Sequence, residues 1–104
     1  MLASEIRERL EKSGLPLAYR FFPEDEPPPG FPYLVWYIDN ETPFPADGEN
    51  YYTVKHITVE LYTGKKDVDA EAALEKALSF AVWEKTEEYI DSEKCYQITY
   101  YLEV

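Results

Sequence analysis

The sequence predicts an α+β domain: two helices packed on a mainly antiparallel sheet of about five strands, in the order α-β-β-β-α-β-β. Three stretches carry that prediction. From Tyr52 to Thr63 the residues alternate, with Ile57, Val59 and Leu61 on one face and Val54, His56, Thr58, Glu60 and Tyr62 on the other, the period of two of a half-buried strand. After Gly64-Lys65-Lys66-Asp67 the period becomes helical, through Ala70, Ala73, Leu74, Ala77, Leu78 and Ala81. From Cys95 to Val104 alternation returns, with Tyr96, Ile98, Tyr100, Leu102 and Val104 on one side and Cys95, Gln97, Thr99, Tyr101 and Glu103 on the other. The helix of the second stretch is expected to lay its apolar stripe on Ile57, Val59 and Leu61, the nearest surface that needs covering.

The remaining elements follow from local signals. Residues 2–13 read as a helix with Leu2, Ile6 and Leu10 on one stripe, with Glu5–Arg9 and Glu8–Lys12 as expected ion pairs one turn apart. Gly14 ends it, and Pro16 prevents it from resuming. Leu17 to Phe22 is a short strand. Residues 23–32, with four prolines from Pro27 to Pro32, suit neither helix nor ladder and are expected to be a wide hairpin connection. Tyr33 to Asp39 is apolar on both faces, which marks a central strand or one that meets another subunit. Residues 39–51 are expected to be a long loop with a turn at Asp47-Gly48 and with Phe44 exposed between Pro43 and Pro45 as a contact residue. The second helix should end near Ala81. Trp83 to Ile90 is read as a strand, turning at Asp91-Ser-Glu-Lys94 into the last one.

At 104 residues there is room for a single domain, spanning 1–104, around one core. The net charge is −11, and the acids are spread along the chain: ten acids against four bases in 1–52, eleven against six in 53–104. Such a balance argues against a nucleic-acid or anionic-membrane footprint. The ten tyrosines suit half-buried sheets and interfaces, where an apolar body and a polar tip are both used. Cys95 is the only cysteine, so there is no disulfide framework, and a reducing compartment such as the cytosol is expected. No apolar run approaches the roughly 20 residues that span a bilayer, and the charged N-terminus is unlike a signal peptide. Asn40-Glu41-Thr42 matches a glycosylation acceptor by chance in such a protein.

Candidate chemistry is sparse. His56, the only histidine, could act with Glu60 as a base or half a metal site, but lacks further ligands. Cys95 has no histidine partner at a readable spacing and reads as a structural thiol. Asp67 and Asp69 are better placed as an N-cap and a favourable charge at a helix start. The glycines at 14, 30, 48 and 64 are isolated, so no phosphate-binding loop is present. No catalytic, cofactor or metal residues are therefore expected. The polar-apolar face Val54, His56, Thr58, Glu60 and Tyr62 instead reads as a subunit interface, and the candidate interaction residues are Phe44, Asp47, Val54, His56, Glu60 and Tyr62.

Four segments carry a resemblance: Gly14-Leu-Pro-Leu-Ala-Tyr19, Pro32-Tyr-Leu-Val-Trp-Tyr37, Ile57-Thr-Val-Glu-Leu-Tyr-Thr-Gly-Lys-Lys-Asp67 and Tyr89-Ile-Asp-Ser-Glu-Lys94. Their order and spacing resemble the tail-completion or tail-terminator-like proteins of phages and prophages of Gram-positive bacteria. The Pro23–Pro32 insert is longer than that family's pattern. The resemblance implies a non-enzymatic virion protein that forms a ring, commonly a hexamer, capping the tail tube and facing the head connector or neck proteins. DNA would pass its lumen without specific binding, with Glu60 and Asp47 as candidate lumen acids. It also implies assembly in the host cytoplasm and residence in the virion. A head-completion protein is the neighbouring alternative. A small acidic DNA-mimic inhibitor and a ferredoxin-like ligand-binding domain are rivals from other classes.

Overall fold

A computed structural model describes residues 1–46 and 50–104. The order is α1 (Ala3–Glu11), β1 (Leu17–Tyr19), β2 (Tyr33–Ala46), β3 (Asn50–Thr63), α2 (Val68–Ala77), β4 (Trp83–Ile90) and β5 (Cys95–Glu103). Both helices and the five-stranded, mostly antiparallel sheet are those expected, and the fold is α+β. In the sheet the strands lie in the order β1-β2-β3-β5-β4.

The core fills the space between the sheet and the helices. Ile6 and Leu10 of α1 and Ala70, Leu74 and Leu78 of the α2 region pack on Leu34 and Trp36, on Ile57, Val59 and Leu61, and on Ile98, Tyr100 and Leu102. The stripe inferred for α2 therefore covers the face inferred for β3. Leu2 of the first stripe is exposed and serves as the N-cap residue, its N–H donating to Glu5 Oε1 at 3.0 Å. Asp67 caps α2 by accepting from the Ala70 N–H at 3.0 Å, as expected of an aspartate in that position. Helix α2 is shorter than the apolar spacing suggested, ending at Ala77 rather than near Ala81. The expected pairs Glu5–Arg9 and Glu8–Lys12 are not formed: Arg7 bonds Glu11, and Arg9 lies over the Phe80 ring.

Two larger expectations are corrected. The segment from 20 to 32 is not a hairpin connection, because β1 and β2 run parallel, Leu17 opposite Leu34 and Tyr19 opposite Trp36. A parallel neighbour requires the chain to travel back along the sheet, and about a dozen residues are needed for that return. Aromatic residues in and beside the proline run hold the crossover in place: Phe22 meets Tyr33 edge-on, Phe31 stacks on Tyr33, and Tyr33 stacks on Tyr62. The Phe31 ring also presses on Gly64, where an added Cβ would stand 3.1 Å from it.

The second correction concerns 39–51. Instead of a loop, β2 continues to Ala46 and pairs with β3 from Asn50, so a two-stranded arm leaves the body and lengthens the molecule to 51 Å. Two features hid it. Asp39 is a bulge, since Ile38 lies opposite Ile57 and Asn40 opposite His56. One extra residue reverses the phase of alternation: Leu34, Trp36 and Ile38 face the helices, whereas Asn40, Thr42 and Phe44 face the other way. The second feature is the pair of prolines. Lys55 exchanges both backbone hydrogen bonds with Val104, so its N–H and C=O point away from β2. Stepping by two, Pro43 opposite Thr53 and Pro45 opposite Tyr51 occupy the same kind of pair, where β2 needs no N–H for its partner.

Candidate functional site

The helices cover one side of the sheet only. On its other side, facing pairs bring together Tyr33 and Tyr62, Val35 and Glu60, Tyr37 and Thr58, then across β5 Gln97, Thr99, Tyr101 and Glu103, and on β4 Glu84, Thr86 and Glu88. Past the bulge the same side continues along the arm through Thr42 opposite Val54 and Phe44 opposite Tyr52. Five of the six residues singled out in the sequence, Phe44, Val54, His56, Glu60 and Tyr62, thus lie on one continuous surface. Asp47 and its turn with Gly48 lie outside the described residues.

The middle of this surface is tied together by its own polar groups. The Gln97 amide donates to Glu60 Oε2 and, at 3.1 Å, to the Tyr62 hydroxyl, which donates in turn to Glu60 at 3.4 Å. Burial and the Glu60 charge push the Tyr62 phenol well above its ordinary pKa. The Thr58 hydroxyl, on a residue only 3% exposed, donates to Asp39 Oδ2 and so pins the bulge to β3. Small residues (Val35, Thr58 and Thr99) are buried among the larger tyrosines, which leaves a polar surface with aromatic flanks.

Where the arm joins the body a cleft of about 510 Å³ opens, lined in part by Asp39, His56, Val82, Glu84, Tyr101 and Glu103. His56 Nδ1 lies 3.3 Å from Glu103 Oε1, and its Nε2 lies 3.5 Å from Thr42 Oγ1. The histidine thus partners Glu103 and Thr42 rather than Glu60, the partner considered from sequence. Among the described residues, no three His, Cys, Asp or Glu side chains gather in a way that could hold a metal ion. Cys95 is buried, and burial pushes its thiol pKa up, away from the reactive thiolate. No described helix is long and apolar enough to cross a membrane. No family model and no curated protein matches the chain.

Along the arm, Phe44 and Tyr52 stack with ring centroids 5.4 Å apart, 42% and 63% exposed. A two-stranded ribbon is marginal in water by itself, and these two rings lie outside the core. Phe44 is exposed, as expected from its proline neighbours, but its pairing with Tyr52 was not foreseen, because without the bulge the two do not lie opposite each other.

A second cluster, on the helix side, was not foreseen. Glu71 is buried, with its side chain 6% exposed, between two lysines: Lys85 at 3.1 Å from Oε1 and Lys66 at 2.7 Å from Oε2, the latter an ion contact without hydrogen-bond alignment. Lys85 also reaches Glu75 at 2.7 Å, Lys66 bonds Glu87, and the Tyr100 hydroxyl donates to Glu75 at 2.8 Å. Burial works to raise the Glu71 pKa, but the two lysines outweigh it and hold the carboxyl below the usual range. The signal in sequence was weak, since Glu71 lies near the start of a helix and Lys85 in an edge strand. The network fastens α2 to β4 and β5 and is structural in character.

Proposed function

We propose that this chain is a non-enzymatic structural protein of a phage virion, a tail-completion or tail-terminator protein that closes a ring on the tail tube at the head–tail junction. The observation that carries the reading is the continuous surface that runs from the sheet face the helices leave open onto the arm, where Phe44 and Tyr52 stand exposed. A one-layer face with tyrosines, pinned carboxylates and a projecting ribbon suits contact between subunits, and the order of sequence segments resembles that family. Itself, the tube protein and the neck proteins are the partners in this reading. At −11 per subunit, a ring wall would repel passing DNA rather than bind it. Deleting the gene from its genome should leave heads and tails that do not join, and adding the purified chain should restore joining. Joined, infective particles from the deletion strain would sink the reading, and binding of the chain to heads instead of tails would move it to head completion.

The same face favours a second reading. Asp39, Glu60, Glu84, Glu88 and Glu103 all occupy it, and no Lys or Arg stands at its strand positions. A small inhibitor that mimics DNA would use such a face on a nuclease or repressor. That reading requires a monomer or dimer that competes with duplex DNA for a basic partner, and tail joining unaffected by its deletion.

A further inference from the structure

Opposite the acidic face, on the helix side, lies the complementary charge. A groove of about 260 Å³ between the C-terminal ends of α1 and α2 is lined by Arg9, Lys12, Ala73, Lys76, Ala77 and Ser79. In a chain with only ten bases, five (Arg7, Lys55, Lys66, Lys85 and Lys94) are paired with carboxylates. Of the other five, Arg20 sits over the Tyr19 and Tyr37 rings, Lys65 is not part of this groove, and Arg9 (also over the Phe80 ring), Lys12 and Lys76 converge on it with no carboxylate within ion-pair distance among the described residues. On the far side of the sheet, Glu84 and Glu103 rim the cleft without any Lys or Arg, next to Val82, which is 90% exposed, and the half-exposed Tyr101.

Resting on the ring reading, we propose that subunits meet head to tail, the cleft side of one copy seating on the α1/α2 groove of the next. A surface that carries acids and an apolar lip fits one that carries three bases and small alanine and serine residues. Carboxylates beside an aromatic ring are good acceptors for guanidinium and ammonium groups. Because two different surfaces meet, the contact is heterologous, and repetition closes a ring if the rotation allows. A face that met its own copy would instead set like charges against each other.

The test uses the full chain and charge reversal, with association read by sedimentation velocity at low and high salt. One variant carries Arg9→Glu, Lys12→Glu and Lys76→Glu; another carries Glu84→Lys and Glu103→Lys. Each alone should lose self-association by at least about tenfold, since like charges then meet across the contact. Mixing the two should restore it, because each supplies the surface that the other now needs. Circular dichroism keeps loss of folding apart from loss of contact. A wild-type chain that stays monomeric at low salt overturns the proposal, as do reversed variants that assemble like wild type, or folded variants whose mixture does not recover. Rings that form and respond in this way but do not join tails to heads would leave the contact standing and remove the tail-completion role.

Discussion

The Lys85 ammonium lies 3.1 Å from Glu71 Oε1 and so ties the edge strand β4 to helix α2. Glu71→Gln keeps the shape but leaves Lys66 with Glu87 alone and Lys85 with Glu75 alone. Breaking a buried pair costs about 3–5 kcal/mol, but both ammonium groups are well hydrated, so a loss of roughly 1–2 kcal/mol is expected. Urea unfolding at neutral pH measures it, and an unchanged midpoint would show that the network adds nothing.

The same carboxyl predicts an acid dependence. Burial raises its pKa and the two lysines lower it further, so the folded value lies below the unfolded one. A group of this kind contributes stability above its unfolded pKa, about 4.3, and the contribution is lost as pH falls through the folded value. The stability gap between wild type and Glu71→Gln should therefore be full at pH 7 and close progressively on acidification below about pH 5. A gap that widens in acid would contradict the assigned direction.

Tyr100 is fully buried, and its hydroxyl donates to Glu75 at 2.8 Å. Burial, followed by the hydrogen bond and charge of Glu75, pushes its pKa far up. Its contribution is complete below the unfolded value of about 10 and is lost as pH rises towards the folded one. Tyr100→Phe should cost roughly 1.5–3 kcal/mol at neutral pH, as expected for a hydrogen bond to a charged acceptor. In an alkaline absorbance titration, wild type should show a late phenol that the variant lacks.

Much of the fold was legible because the period of two holds without interruption in β3 and β5, and because the change to helical spacing after Asp67 is abrupt. The stop at Gly14 was equally plain, its φ of +76° being natural for glycine. What was not legible depended on single residues whose effect is three-dimensional. Asp39 inverts the phase of the arm, and Pro43 and Pro45 read as breakers although they fall where no ladder N–H is needed. The parallel pairing of β1 was hidden for a similar reason: a proline-rich crossover has no helical period to announce it. For the site, His56, Glu60 and Tyr62 could be placed on one side of a strand by counting. Their joining to Phe44 could not, and neither could the meeting of Arg9 with Lys76 from separate helices.

Asp39 and Thr58 offer an asymmetric test of the bulge. Thr58 is buried and donates to Asp39, which is exposed. Asp39→Ala leaves a buried hydroxyl without its acceptor and should cost about 1–3 kcal/mol. Thr58→Val removes the donor and leaves a carboxylate that water can solvate, so its cost should be under about 1 kcal/mol. Equal losses in thermal or urea unfolding would mean that the pair does not hold the bulge as described.

Phe44 separates folding from assembly. Its ring stacks on Tyr52 outside the core, and an exposed aromatic pair contributes only about 0.5–1.5 kcal/mol, so Phe44→Ala should leave the body's melting temperature almost unchanged. If the arm is a contact element, the ring becomes a desolvated anchor on assembly, and truncating such an anchor costs 2 kcal/mol or more, about thirtyfold in affinity. Self-association and head–tail joining should fall accordingly, while circular dichroism and the unfolding midpoint stay near wild type. A variant that assembles and joins tails as well as wild type would remove Phe44 from the contact surface and the arm with it.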